Sequence, residues 1–160
     1  MKTEFVQVGI GEGKVVRRPV GLVSYALGSC VGICLYDRMN GVAGMAHIML
    51  PSRKVTMDPI NPYKFADSGI QYLAKDMLRA GACRPNLFAK IAGGAQMFPA
   101  NGNAETIGER NIKAVKEVLN EMGIRIVAED TGKDYGRTIR FYSVSGELEI
   151  KSVKHGMNVI

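Results

Sequence analysis

The chain has 160 residues, with 21 basic against 15 acidic side chains for a formal charge of +6, 46% hydrophobic residues and 22% charged ones. That balance describes one globular domain over residues 1–160, large enough to bury a core without metals or disulfides, and it excludes a stapled mini-protein. No apolar run reaches the roughly 20 residues that cross a bilayer and the first residues lack a signal peptide's apolar stretch, so a cytoplasmic protein with no membrane insertion is expected.

The basic residues are scattered and aromatics make up only 7%, which leaves little material for stacking bases; no nucleic-acid partner is expected. Three cysteines, Cys30, Cys34 and Cys83, are an odd number at no paired spacing and point to free thiols in a reducing compartment.

In chain order, residues 4–8 alternate as a strand should, and the glycines between Gly9 and Gly13 break it. Residues 19–27, 31–37 and 42–50 are short apolar runs; the last two read as a β-hairpin across Arg38-Met39-Asn40-Gly41. After the loop punctuation of Pro59 and Pro62, Phe65, Ile70, Leu73, Met77 and Leu78 form the stripe of a helix over about 63–80, stopped by Gly81. Residues 87–92 read as a strand ended by Gly93-Gly94. A second helical stripe follows, formed by Ile107, Ile112, Val115, Val118, Leu119 and Met122 and ended by Gly123.

Residues 124–128 start another strand. The runs 138–144 and 147–153 read as a second hairpin, and the tail beyond Lys154 is expected to be loose. The order of elements gives an α/β (α+β) fold: a single domain, a mixed β-sheet with hairpins and two main helices, layered as a sandwich. A doubly wound fold lacks enough βα alternations.

Gly28-Ser29-Cys30 sets a thiol behind a glycine-containing turn at the mouth of a strand, where the backbone N–H groups of Ser29 and Cys30 can face an oxyanion. If Asp37 and Val42 flank a four-residue loop, paired residue numbers sum to 79, Cys30 lies opposite Met49, and His47 becomes its diagonal neighbour on the same face. A two-residue turn would move the histidine out of register. A cysteine beside a histidine suits acyl transfer: the imidazole takes the thiol proton and later protonates the leaving group. The plain alternative is a small buried thiol and a satisfied core histidine. Cys34 and Cys83 read as packing and His155 as a tail residue. The cysteines and His47 lack the close pairs that build a zinc site, so no metal and no cofactor is expected.

Leu27-Gly28-Ser29-Cys30-Val31-Gly32, Leu35-Tyr36-Asp37 and Gly44-Met45-Ala46-His47-Ile48-Met49-Leu50-Pro51 together resemble the CheD family, the chemoreceptor glutamine deamidases of bacterial and archaeal chemotaxis. Gly93-Gly94-Ala95 with Met97-Phe98, the run Ile107 to Asn111, and Gly136-Arg137 extend the resemblance over nearly the whole chain. It implies hydrolysis of selected glutamine side chains on methyl-accepting chemotaxis receptors to glutamate and ammonia. Cys30 stands at the nucleophile's place, His47 at that of the general base and acid, and Ser24 at that of an active-site threonine. It also implies a CheC-type phosphatase as a partner, and an alternative role as a regulatory binding module that docks this phosphatase.

The chain departs from the family pattern at Ser24, at Tyr25-Ala26 in place of the usual leucine-glycine, and at Lys133 where a second glycine beside Gly132 is usual. Gly93 to Ala95, Ile107 to Asn111 and Gly132 to Arg137 read as structural segments. Arg110 is expected to meet Glu105 or Glu109.

Overall fold

The computed structural model describes residues 2–55, 61–98 and 104–160; Pro59 lies outside them. Among the described residues, ten strands and two α-helices follow one another as β1 Phe5–Gln7, β2 Gly13–Arg17, β3 Gly21–Leu27, β4 Val31–Asp37, β5 Val42–Ile48, α1 Ala66–Arg79, β6 Phe88–Gly93, α2 Ile107–Glu121, β7 Arg125–Thr131, β8 Arg137–Phe141, β9 Leu148–Ser152 and β10 Gly156–Val159. The strands divide into two five-stranded sheets, β1-β3-β8-β9-β10 and β2-β5-β4-β6-β7. Each sheet is mixed, since β1 runs parallel to β3 and β6 parallel to β7. The expected class holds, with the strands shared between two sheets.

Three layers result. Both helices lie on one face of the second sheet, where Val31, Ile33, Leu35, Ile48 and Ile91 pack against Ile70, Leu73, Met77, Val115 and Leu119. Its other face meets the first sheet through Cys34, Tyr36, Ala43 and Met45 against Leu22, Leu27, Ile139 and Phe141. Sandwiched in this way, β4 and β5 are buried at every position, which explains why they read as continuous apolar runs rather than alternating ones.

Several local expectations change. The strand β2 escapes a reading that treats the glycines before it as a loop; it pairs antiparallel with β5. Leu78 turns to solvent, and the buried stripe of α1 runs through Ile70, Leu73, Ala74 and Met77. The tail is not loose, because β10 pairs antiparallel with β9 and Ile160 exchanges two backbone hydrogen bonds with Leu148. Its turn is closed by the His155 N–H donating to Ser152 Oγ at 3.0 Å. The start of α2 carries a signal that periodicity passes over, a capping box between Thr106 and Glu109.

Candidate active site

The β4–β5 hairpin has the four-residue loop, with Asp37 opposite Val42, Gly32 opposite His47 and Val31 opposite Ile48. Even-numbered residues of β4 and odd-numbered residues of β5 therefore face the first sheet. Cys30, one residue before β4, packs against that inter-sheet cluster. By that register His47 lies on the same face, one diagonal step from Cys30, and Gly32 stands directly opposite His47. A Cβ at Gly32 would strike Ile139 Cδ1 at 2.5 Å.

His47 is fully buried in the middle of the fold. Its main chain is fixed by the segment just before β2, with the Gly11 N–H donating to His47 O at 2.9 Å and the His47 N–H donating to Glu12 O at 3.0 Å. Its Nδ1 lies 2.8 Å from Ser24 Oγ, which itself donates to Val8 O at 2.6 Å. The serine's single hydrogen is thereby committed to Val8, so its oxygen accepts from Nδ1–H and the lone pair sits on Nε2. That Nε2 is buried and has no hydrogen-bond partner among the described residues. Burial pushes the imidazole down to about 4, so near neutral pH it is an uncharged base.

Cys30 is half-buried. Burial raises its thiol above the ordinary range, and its own backbone N–H partly offsets this. At neutral pH the two groups therefore stand as thiol and imidazole rather than as an ion pair.

The turn in front of β4 is held from behind at each carbonyl. Ala95 N–H donates to Gly28 O at 2.8 Å, Asn111 Nδ2 to Ser29 O at 2.9 Å, and Gly94 N–H to Cys30 O at 2.8 Å. No backbone carbonyl among the described residues accepts from the N–H of Ser29 or Cys30. Gly93 must be glycine here: its φ is +112°, and a Cβ would collide with the Cys30 carbonyl. Ser29 also lines a cavity of about 260 Å3 with Ala95, Gln96, Met97, Phe98, Thr106 and Ile107. Met97, Phe98 and Ile107 present exposed apolar surface at its rim.

The structure thus brings Ser24, Ser29, Cys30 and His47 to one region. It separates others from it. Cys34 is buried in the inter-sheet core, while Cys83 is exposed rather than packed, and the His155 ring lies against Tyr135 with centroids 4.3 Å apart. Glu105 pairs with Lys113 at 4.0 Å and Glu109 is committed to its capping box, so neither serves Arg110 as expected. Among the described residues no group of three or more His, Cys, Asp and Glu gathers as a metal site would require. Asn111, quoted above only within a motif, is the residue that sequence reasoning leaves without a role; besides Ser29 O, its Nδ2 donates to Met49 O at 2.9 Å.

The model of the family described as CheD chemotactic sensory transduction matches residues 49–152. The chain belongs to the CheD family. A relative named "Probable chemoreceptor glutamine deamidase CheD" from Caldanaerobacter subterraneus is 50% identical over the full length of both chains. Another, "Probable chemoreceptor glutamine deamidase CheD 1" from Methanosarcina acetivorans, is 46% identical over 97% of this chain and 96% of its own. The CheD model's match begins after Cys30 and His47, whereas the Caldanaerobacter relative spans both positions. In fold, this CheD chain is similar to a Neisseria meningitidis protein of the family-model DUF152, with a TM-score of 0.55 at 10% identity over 82% of this chain and 64% of that one.

Proposed function

We propose that this chain hydrolyses glutamine side-chain amides on methyl-accepting chemotaxis receptors, giving glutamate and ammonia, with Cys30 as nucleophile and His47 as base and acid. The observation that carries the reading is the state of His47. Its Nδ1–H is taken by Ser24 and its Nε2 lone pair is left without a partner, on the face that Cys30 shares. The names of the full-length relatives support the substrate.

Because the imidazole is uncharged and the thiol protonated at rest, attack is coupled to proton transfer: Nε2 takes the Sγ proton as sulfur bonds to the amide carbon. The resulting oxyanion faces the N–H groups of Ser29 and Cys30. The imidazolium then hands its proton to the departing nitrogen, the C–N bond breaks, and ammonia leaves a thioester. Water, losing a proton to Nε2, attacks that carbonyl, and collapse returns the thiol and releases glutamate. Ser24 holds the ring in the tautomer this cycle needs. The cavity floored by Ser29, with its apolar rim, is the approach for the receptor segment, and no helix among the described residues is long and apolar enough to cross a membrane. On this reading the enzyme works on the cytoplasmic helices of the receptors.

Peptide mass spectrometry on receptor cytoplasmic fragments tests the proposal. Wild type should convert selected glutamines to glutamates and Cys30→Ala none; equal conversion by both would end it. Docking of a CheC-type phosphatase is a second proposal, resting on the family resemblance. Retained phosphatase binding by a chain that never converts glutamine would make the regulatory module the better account.

A further inference from the structure

Asn111 lies on the second turn of α2, is fully buried, and touches neither Cys30 nor His47 by hydrogen bond. Both hydrogens of its amide nitrogen go to main-chain carbonyls at 2.9 Å, those of Ser29 and Met49. One of these residues immediately precedes the nucleophile and the other follows the base by two positions. Its Oδ1 is buried without a partner among the described residues. An apolar side chain of the same shape would fill this helix–sheet contact but would leave the Ser29 and Met49 carbonyls without this donor, so the amide serves those two carbonyls rather than packing alone.

The Ser29–Cys30 peptide is trans. In a planar trans peptide the N–H points opposite to the C=O, so whatever fixes the Ser29 carbonyl also fixes the direction of the Cys30 N–H. A hydrogen bond at the carbonyl also polarises the peptide and strengthens that N–H as a donor. We propose that Asn111 is the positioning residue of the oxyanion donor: it holds Ser29 O from behind so that the Cys30 N–H faces the substrate carbonyl, and it ties this peptide to the His47 strand through Met49 O. The inference rests on the reading of Cys30 as nucleophile. The parallel bond from Ala95 N–H to Gly28 O aims the Ser29 N–H in the same way, but Asn111 alone does so with a side chain, and a side chain can be removed.

The test compares a reaction that builds an oxyanion with one that does not. For Asn111→Ala, deamidation of receptor fragments should lose about 10- to 100-fold in kcat, less than outright loss of an oxyanion donor, with KM within about twofold. Alkylation of Cys30 by iodoacetamide, an attack at saturated carbon, should stay within about threefold of wild type with the same pH midpoint. Should Asn111→Ala fail to fold, Asn111→Ser is read by the same ratio. An unchanged kcat, or an equal loss of turnover and alkylation, overturns the assignment. Failure of the underlying reading looks different: Cys30→Ala would then deamidate like wild type, and the positioning role would fall with it.

Discussion

The two ends of the β4–β5 hairpin are built from the same pair of strands and treat their polar atoms in opposite ways. At the turn end, the buried Asp37 carboxylate accepts from Asn40 N at 3.0 Å, Asn40 Nδ2 at 2.8 Å, Cys83 N at 2.8 Å and Asn86 Nδ2 at 3.3 Å. Burial pushes its carboxyl up, but these hydrogen bonds together outweigh burial and hold it below its usual range. At the open end, His47 Nε2 and Asn111 Oδ1 are buried without partners among the described residues, and the Cys30 thiol is pushed up. Most buried polar groups in folded proteins have a hydrogen-bond partner. On the proposed function, the unpaired base at this end is the one that takes the Cys30 thiol proton.

The sharpest way to break this contrast is His47→Gln, which keeps a polar side chain of similar size and removes the base. Ammonia release from receptor fragments should fall about 10²- to 10⁴-fold. Retention of a tenth of the rate would take His47 out of the chemistry and leave the open end merely unsatisfied.

The same residue gives the next effect, in stability. Folding holds the imidazole at about 4 against an ordinary 6.5, so between those values the unfolded chain takes up a proton that the native state refuses. The stabilisation is complete above pH 6.5 and is lost as pH falls towards 4, by up to about 3 kcal/mol. Urea unfolding of wild type and His47→Gln at pH 7.5 and pH 5 isolates it: wild type should lose about 2 kcal/mol more than the variant over that interval. Parallel pH profiles would mean that His47 is not shielded as its burial implies.

At the other end, Asp37→Ala strands the N–H groups of Asn40 and Cys83 and should cost about 2–3 kcal/mol in urea unfolding. Turnover per folded molecule should stay within about twofold, since the hairpin's open end is held separately by Asn111 and Gly94. A stable Asp37→Ala with impaired turnover would reverse the roles of the two ends.

How far the site can be read in the sequence follows from the range of each interaction. The diagonal placement of Cys30 and His47 needs only a loop length and the period of two along a strand, and both are local. Ser24 reaches His47 from the other sheet, a contact that no spacing encodes; only the family resemblance singled it out. Asn111 was beyond reach because it acts on carbonyls, 82 residues from Ser29 and 62 from Met49, and a side chain that serves backbone leaves no pattern of residue types. The β2 and β10 strands were hidden for a related reason: each is short and flanked by glycine, and each is fixed by the strand it pairs with.

The smallest effect tests the two non-glycine residues that hold a left-handed backbone conformation among the described residues. Ala26 and Lys133 have φ of +59° and +63°, a left-handed conformation that costs a residue with a Cβ about 1 kcal/mol or more. Ala26 is exposed and lies in the irregularity of β3 between Ser24 and Leu27, so removing its methyl group gives up little packing. Ala26→Gly relieves the strain but loosens the unfolded chain, and the balance should raise the thermal midpoint by about 2 °C. Turnover should not change, because Ser24 is held by its own bond to Val8 O and by His47 rather than by the backbone angle two residues on. If Ala26→Gly instead lowers kcat while stabilising the fold, the strain helps to aim Ser24, and the open end stores energy in its backbone as well as in its unpaired atoms.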